Sequence, residues 1–279
     1  MGCATHWNSC TRNILGGNKM DGVTLLVGWG FLGAFILVAI AFAYARNQKR
    51  IDVIDAFWGL AILTAVLVAA WQTRPLSPHS WLVIALVGVW ALRLSHHIGK
   101  RFERSKAQDE RYTELTKKWR TSAYWLSAFT RVYLVQALLA TIVALSPIIV
   151  VAADKISQPW LAVGLVVWCV GFVMEVLADS ELKEFIKNNN NGVLSTGLWR
   201  YSRHPNYFGE LMMWWGIWVA SIGTSNWLVA LASPLVLTIL IVWVSGVPPA
   251  ERRAAARKGW KEYKQKTSLV DAQQQTQQD

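Results

Sequence analysis

The sequence predicts an all-α integral membrane protein, a bundle of about seven transmembrane helices. Of its 279 residues, 53% are hydrophobic and only 16% are charged, whereas soluble domains contain about 25% charged residues. The chain also contains 17 Trp residues, and Trp is enriched where a membrane meets water. Long apolar stretches recur along the chain, and a membrane-spanning helix needs about 20 predominantly apolar residues. These observations exclude an ordinary soluble domain.

Seven apolar stretches are the candidate spans. In chain order they cover residues 22–45, 53–71, 81–98, 123–151, 160–178, 207–223 and 226–246. The sixth stretch is the shortest. The fourth is long enough to tilt across the membrane, or to begin as a helix that lies at the interface.

The positive charge alternates between the segments that connect these stretches. The formal net charge is +11, and 22 of the 28 Lys and Arg residues lie in segments 46–52, 99–122 and 179–206 and after residue 246. The other loops contain only Arg74 and Lys155. Because cytoplasmic loops are enriched in Lys and Arg, we expect the C terminus to lie in the cytoplasm. The membrane that contains the protein is expected to be a bacterial inner membrane or that of the endoplasmic reticulum. Topology and contact with membrane lipid explain most of this charge, so no nucleic-acid partner is expected.

The chain is expected to form a single multi-pass membrane domain over residues 21–268, with a C-terminal core at 122–268. Residues 1–20 are polar, and our hypothesis is that Met20 is the true start of the protein. Residues 269–279 are rich in Gln, and such low-complexity polar tails are usually disordered.

Ionisable residues collect near the predicted cytoplasmic ends of the spans, where their cost in a membrane marks them as functional candidates. Four polar stripes with helical spacing result: Asp52 and Asp55; Arg93, His97 and Arg101; Glu175, Asp179 and Lys183; and Asn206 and Glu210, with Tyr207 beside them. For any single one of these residues, pairing of a buried acid with a buried Arg or His, which would hold the bundle together, is as good an explanation as a functional role. A cytoplasm-facing cavity lined by both signs of charge explains the whole set better.

The residues expected around this cavity suit a ligand that has phosphate groups and a flat ring. The guanidinium groups of Arg101, Arg200 and Arg203 suit phosphates, and the Trp and Tyr side chains suit a ring or an apolar substrate. The sequence contains neither a G-x-G-x-x-G nor a G-x-x-x-x-G-K-[ST] motif, so the two common phosphate-binding loops are excluded. No set of His, Cys and Glu has metal-ligand spacing, so no metal is expected.

The segment GLWRYSRHPNYFGE, residues 197–210, resembles the C-terminal signature of the steroid 5-alpha-reductase family, in its bacterial-type branch. Further segments extend the resemblance in the same order: IDVIDAFWG at 51–59, RLSHHIGKR at 93–101, DERY at 109–112, EVLADSELKEF at 175–185, SGVPPAERR at 245–253 and GWKEYKQKTS at 259–268. Together they cover most of residues 50–268.

This resemblance implies a membrane reductase that uses NADPH to reduce a carbon–carbon double bond conjugated to a carbonyl, in a steroid or another hydrophobic, lipid-like substrate. It also implies a cofactor pocket at the cytoplasmic ends of the last helices. The expected cofactor-binding residues are Arg101, Glu175, Asp179, Lys183, Arg200, Tyr201, Arg203, His204 and Asn206. The expected catalytic residues are Asp55, Tyr207 and Glu210.

Physical roles can be assigned to the residues of the 197–210 segment. We expect Arg200 and Arg203 to balance phosphates, and Asn206 to orient an amide such as the nicotinamide carboxamide. We expect Gly209 to allow close approach to a ring. Glu210, if protonated at depth, would donate a hydrogen bond to the substrate.

The substrate side of this sequence departs from the better-known members of the family. Those members place a Gln–Glu pair in the second span and a Tyr in the third. Here the second span has Asp52, Asp55 and Trp58, and the third has Trp90 and Arg93 where that Tyr is expected. The identity of the substrate is therefore left open.

Two other functions compete with reduction. The fragment RHPxYxG, residues 203–209, also occurs in membrane methyltransferases similar to isoprenylcysteine carboxyl methyltransferase, which bind S-adenosylmethionine. Asn206 and Glu210 favour the reductase, whereas Glu251, Trp260 and Tyr263 resemble the methyltransferase tail. The second alternative is a non-catalytic, lipid-binding membrane protein.

Overall fold

A computed structural model describes residues 19–105, 107–188 and 192–269. These residues form helices and turns, with isolated bridges and no β-strand between them, which confirms the all-α fold class. The predictions for the N-terminal segment 1–20 and for the tail 269–279 fall almost entirely outside the described residues.

The described residues contain thirteen α-helices in chain order. They are α1 Lys19–Gln48, α2 Val53–Gln72, α3 Pro78–Arg104, α4 Glu110–Thr116, α5 Tyr124–Ala128, α6 Leu134–Val143, α7 Leu145–Ala152, α8 Gln158–Lys187, α9 Pro205–Ser221, α10 Trp227–Ala230, α11 Ala232–Ile239, α12 Val247–Ala254 and α13 Trp260–Lys266. Tighter 3-10 turns occur at Thr121–Ala123 and Gly197–Arg200, and wider π turns at Phe129–Tyr133 and Leu240–Val244.

Six helical segments of the described chain are long and apolar enough to cross a membrane. They are Gly22–Gln48, Val53–Gln72, Pro78–Arg104, Thr121–Val143, Gln158–Lys187 and Trp227–Ala254. The sixth predicted stretch, 207–223, forms α9, which has 17 residues. The prediction of about seven helices is therefore roughly confirmed, and the chain is an integral multi-pass membrane protein. The orientation and the kind of membrane stay predictions.

The chain divides into two compact units. The first comprises the described parts of Met1–Ser157 together with Ser221–Ser233, and the second comprises those of Gln158–Ala220 and Pro234–Asp279. The prediction of one membrane domain over 21–268, with a C-terminal core at 122–268, stays a prediction.

In the first unit α2 is the central helix. It packs against α1, α3, α6 and α7, because small or branched residues such as Ala61, Ala65 and Ala69 line its buried positions. Hydroxyl groups join the helices where they would otherwise be buried without partners: the Ser80 Oγ donates to the carbonyl of Val151 at 3.0 Å. The Ser146 Oγ donates to the carbonyl of Ala230 at 2.8 Å.

In the second unit α8 and α9 pack at glycines. A Cβ atom on Gly164 would lie 2.4 Å from the carbonyl oxygen of Gly216, and a Cβ atom on Gly209 would lie 2.6 Å from the carbonyl oxygen of Gly171. Both contacts are too close for any side chain, so the backbones touch at two levels separated by seven residues. Such small-residue contacts are a common way to associate helices within membranes.

Candidate functional site

The segment that precedes α9 is held against the end of α8. Gly197 has a φ of 59°, a left-handed conformation that favours glycine. The backbone N–H of Leu198 donates to the Glu181 Oε2 at 3.1 Å, and the buried Trp199 indole N–H donates to the carbonyl of Ala178 at 3.1 Å. The chain therefore enters α9 from a fixed direction.

The acidic stripe of α8 meets the polar first turn of α9. The Asn206 Nδ2 donates to the Asp179 Oδ1 at 3.1 Å, and the Asn206 Oδ1 accepts the backbone N–H of Tyr207 at 3.0 Å. The carboxamide is therefore held at both ends. A carboxamide has two N–H donors, so Asn206 can hold Asp179 and still donate to a ligand.

Other predicted residues lie on the same two helices. Glu175 is buried on α8, one turn before Asp179. Glu210 lies one turn after Asn206 on α9 and is half-buried. The Tyr207 ring stacks on the His204 imidazole, with centroids 5.3 Å apart and planes inclined by 15°. The sequence spacing thus groups Glu175 and Asp179 with Asn206, Tyr207 and Glu210 on two touching helices.

Arg203 and His204 surround a carboxylate that comes from a distant part of the chain. The Arg203 Nε donates to the Glu251 Oε1 at 2.8 Å, and the His204 Nε2 lies 3.7 Å from the same oxygen. The Lys264 ammonium pairs with the Glu251 Oε2 at 2.9 Å. Burial lowers the pKa of His204 to about 4, although Glu251 acts in the opposite direction. His204 is therefore neutral at pH 7.

Lys183, Arg200 and Tyr201 lie at the surface of the second unit. All three are exposed, and the Tyr201 side chain is 54% exposed. These are the predicted groups that can reach an anionic or ring-bearing ligand without first breaking a buried contact.

Gly209 has a different role from the expected one. It was predicted to allow a ring to approach, but its open side faces the backbone of Gly171 and Glu175 on α8. A Cβ atom there would lie 2.7 Å from the Glu175 backbone nitrogen. The glycine is therefore required by helix packing within the protein.

The remaining two predicted residues, Asp55 and Arg101, lie in the first unit. The Asp55 Oδ2 is paired with Arg111 at 2.6 Å, and the Asp55 Oδ1 accepts the hydroxyl of Tyr112 at 2.6 Å. Burial, followed by the charge of Asp55, raises the pKa of Tyr112 well above its ordinary value. Tyr112 is thus a protonated donor at neutral pH.

Arg101 belongs to the same polar cluster and is committed to a carboxylate. Its Nη2 lies 2.5 Å from the Asp109 Oδ2. Asp109 also caps α4, because its Oδ1 accepts the Arg111 backbone N–H at 3.0 Å. Burial opposes ionisation of Asp109, but hydrogen bonds and charge from Arg111, with the charge of Arg101, keep the pKa of Asp109 below its ordinary value. Arg101 and Asp109 line a small open cleft of about 50 Å³ together with Arg50, Asp52 and Asp55.

A family description and several relatives match this chain. The model of the family described as "Protein of unknown function (DUF1295)" matches residues 41–267, which is most of the chain. The chain belongs to the DUF1295 family. Its predicted resemblance to the steroid 5-alpha-reductases is confirmed by relatives named for that activity.

The relatives of this DUF1295 chain fall into two kinds. The 3-oxo-5-alpha-steroid 4-dehydrogenase 1 of Mus musculus is 35% identical over 79 residues, which are 28% of this chain and 31% of the relative. The Bos taurus protein of the same name is 32% identical over 95 residues, 33% and 37% of the two chains. A Schizosaccharomyces pombe protein, "Uncharacterized protein C594.04c", is 22% identical over 231 residues, 71% and 66% of the chains.

The match spans about a third of the length of the steroid dehydrogenases. No solved structure matches the chain.

Sequence reasoning missed several residues that build these two clusters. The sequence predicts a basic loop over residues 99–122, whereas α3 continues to Arg104 and the buried Tyr112 lies on α4. The DERY segment, 109–112, is part of the resemblance, but its pairing with Asp55 joins residues more than fifty positions apart.

In the described residues no group of three or more His, Cys, Asp or Glu side chains could hold a metal ion.

Proposed function

We propose that this DUF1295 protein is a membrane-embedded reductase that uses NADPH to reduce a carbon–carbon double bond conjugated to a carbonyl. The observation that carries the proposal is the hydrogen bond between Asp179 and Asn206. It joins the two segments in which the family resemblance implies cofactor contacts. Relatives named 3-oxo-5-alpha-steroid 4-dehydrogenase 1 support the same reaction class.

The donor set of the second unit fits a dinucleotide that carries phosphates. Lys183 and Arg200 are exposed cations, and the exposed Tyr201 ring provides a flat apolar face. Asn206 offers an N–H donor whose position is fixed by Asp179. In this proposal the cations hold phosphates, the ring supports a base or a ribose, and Asn206 aligns a carboxamide.

NADPH would supply a hydride to the β-carbon of the enone when bound. The negative charge then develops on the carbonyl oxygen, so a donor there lowers the barrier, and the α-carbon finally takes a proton. We assign the donor role in the second unit to Glu210 and Tyr207. Stacking on His204 restrains the Tyr207 ring, so its hydroxyl has a defined direction.

Asp55 is the proposed catalytic residue of the first unit. Both of its oxygens accept hydrogen bonds, one from Arg111 and one from Tyr112. With these contacts the Asp55 carboxylate acts as a hydrogen-bond acceptor, and the hydrogen between Asp55 and Tyr112 belongs to the Tyr112 hydroxyl. The substrate is a hydrophobic or lipid molecule, because the surrounding helices are apolar and the named relatives act on steroids.

A thermal-shift titration tests this proposal. Detergent-purified protein is heated with NADPH, NADH or S-adenosylmethionine, and unfolding is followed through the Trp fluorescence. A ligand at about 100 times its dissociation constant stabilises the folded state by about 2.7 kcal/mol. We expect NADPH to raise the melting temperature most, because exposed cations can also bind its 2′-phosphate. A shift with S-adenosylmethionine alone would overturn the proposal.

A further inference from the structure

The C-terminal residues 251–269, hereafter the C-terminal strap, return to the segment that precedes α9. The helix is interrupted at Ser245 and Gly246, after the π turn Leu240–Val244, and a Cβ atom on Gly246 would lie 2.6 Å from the carbonyl oxygen of Ile241. The strap contains the end of α12, the turn at Gly259 and α13. Both the strap and the segment that it reaches belong to the second unit.

The strap contacts the backbone of residues 199–203 through hydrogen bonds. The Tyr263 hydroxyl donates to the carbonyl of Trp199 at 2.6 Å and lies 3.3 Å from the carbonyl of Ser202. The Arg203 backbone N–H donates to the carbonyl of Ser268 at 3.0 Å. These bonds fix a segment that leaves the 3-10 turn Gly197–Arg200 and has no regular secondary structure from Tyr201 to His204.

Side chains reinforce the same contact from both directions. The Ser202 Oγ donates to the carbonyl of Leu269 at 3.1 Å, and the Ser268 Oγ donates to the carbonyl of Tyr201 at 3.3 Å. Trp260 and Tyr263 are buried, so α13 is anchored by apolar contact as well. The strap is therefore a packed part of the second unit.

Arg203 is the centre of this arrangement. Its Nε binds Glu251, and its Nη1 donates to the carbonyl of Thr267 at 2.6 Å and approaches the carbonyl of Lys264 at 3.4 Å. The side chain is only 10% exposed. The Nε and Nη1 donors of Arg203 are thus bound within the protein and its charge is balanced by Glu251, so this buried guanidinium is less available to a phosphate than the exposed Arg200.

We propose that the strap positions the cofactor-binding segment, and that Arg203, Glu251 and Tyr263 are positioning residues rather than cofactor ligands. This inference rests on the proposed function. The strap holds the backbone that carries the exposed Arg200 and Tyr201, a few residues before Asn206. A segment ordered in advance loses less conformational entropy when a ligand binds, so the strap raises the affinity for NADPH without touching the reacting atoms.

Glu251→Gln is the first test, because it removes a charge and keeps the shape. We expect the KM for NADPH to rise about tenfold, which corresponds to the loss of about one charge-assisted hydrogen bond, while kcat changes less than about twofold. Glu262→Gln is the matched control, since Glu262 is an exposed carboxylate on the same strap and should leave both constants unchanged. A fall in kcat at constant KM would overturn the inference.

Tyr263→Phe is a second, uncharged variant that keeps the buried ring and loses only the hydroxyl. It should also raise the KM for NADPH, by severalfold, with kcat retained. An unchanged KM in this variant would contradict the role of the strap.

A double-mutant cycle separates positioning from direct binding. If Arg203 acts through Glu251, the Arg203→Gln and Glu251→Gln effects on KM are not additive, and the double variant resembles the more affected single variant. If Arg203→Gln weakens NADPH binding while Glu251→Gln does not, Arg203 contacts the cofactor directly and the inference fails.

Hydrogen exchange tests the strap independently of the proposed function. Glu251→Gln should speed the exchange of the backbone amides of residues 199–203 in the protein without ligand, whereas Glu262→Gln should not. Unchanged exchange would contradict the positioning role of the strap. Faster exchange in a protein that binds no NADPH would support that role and contradict the proposed function.

Discussion

Burial keeps the His204 imidazole neutral, although it lies beside the Glu251 carboxylate. Its pKa in the folded protein is about 4, below the ordinary value of 6.5, so the unfolded chain takes up a proton first as the pH falls. The stabilising contribution is complete above about pH 6.5 and is lost as the pH falls from there through 4. The melting temperature should therefore drop across this window.

The pH dependence can be assigned with two variants. His204→Gln should flatten the slope of melting temperature between pH 6.5 and 4, because the group that titrates is gone. His96→Gln, which changes an exposed histidine on α3, should retain the slope. Equal slopes in all three proteins would contradict the burial argument.

Asn206 is the residue at which two segments of the chain meet a proposed ligand. Asn206→Ala removes its hydrogen bond to Asp179 and the donor that we propose for the nicotinamide carboxamide. A lost hydrogen bond in a buried site costs about 1–3 kcal/mol, so the dissociation constant for NADPH should rise about tenfold or more. Isothermal titration measures it, with Asn188→Ala, an exposed asparagine at the end of α8, as control. Unchanged affinity would remove Asn206 from the site.

At the scale of elements, the contact of α8 with α9 depends on glycine. Gly209→Ala places a methyl group 2.6 Å from the Gly171 carbonyl oxygen, so the helices must separate. We expect a loss of about 1–3 kcal/mol in the free energy of unfolding, measured by denaturant titration in detergent. Gly28→Ala on α1 has no atom within 4 Å of the new methyl group and should be neutral or slightly stabilising. Equal effects of both would contradict the packing.

The elements themselves were largely predictable, because hydrophobic runs report local structure. Residues 53–71 were predicted as a span, and the helix is Val53–Gln72. The helices extend further than predicted where polar residues continue the turn, as in α3 to Arg104. Charged residues lowered the hydropathy there but did not interrupt the helical hydrogen bonds.

The pairings between elements were less predictable. The spacing of Glu175 and Asp179 indicated one face of a helix, and the partner Asn206 fits that expectation. Nothing local in the sequence joins Arg203 to Glu251, since such long-range contacts arise from how the chain folds back. For the same reason Gly209 was assigned to a ligand, although its neighbour is another helix.

At the scale of the whole molecule, the alternating charge predicts a cytoplasmic C terminus. A phosphatase that is active only outside the cytoplasm should remain inactive when fused after residue 279, and a fluorescent protein there should fluoresce. The same phosphatase fused after Asp154, in a loop with a single Lys, should be active. An active C-terminal phosphatase would reverse the assigned orientation.

The central claim is that hydride passes from NADPH to an enone. The most direct measurement is incubation of the purified protein with NADPH deuterated at C4 of the nicotinamide, on the transferred face, and either a 3-oxo-4-ene steroid or a prenyl enone, followed by mass spectrometry. We predict a reduced product that contains one deuterium at the carbon β to the carbonyl. A reduced product without the label, or methyl transfer from S-adenosylmethionine with no consumption of NADPH, would contradict the account.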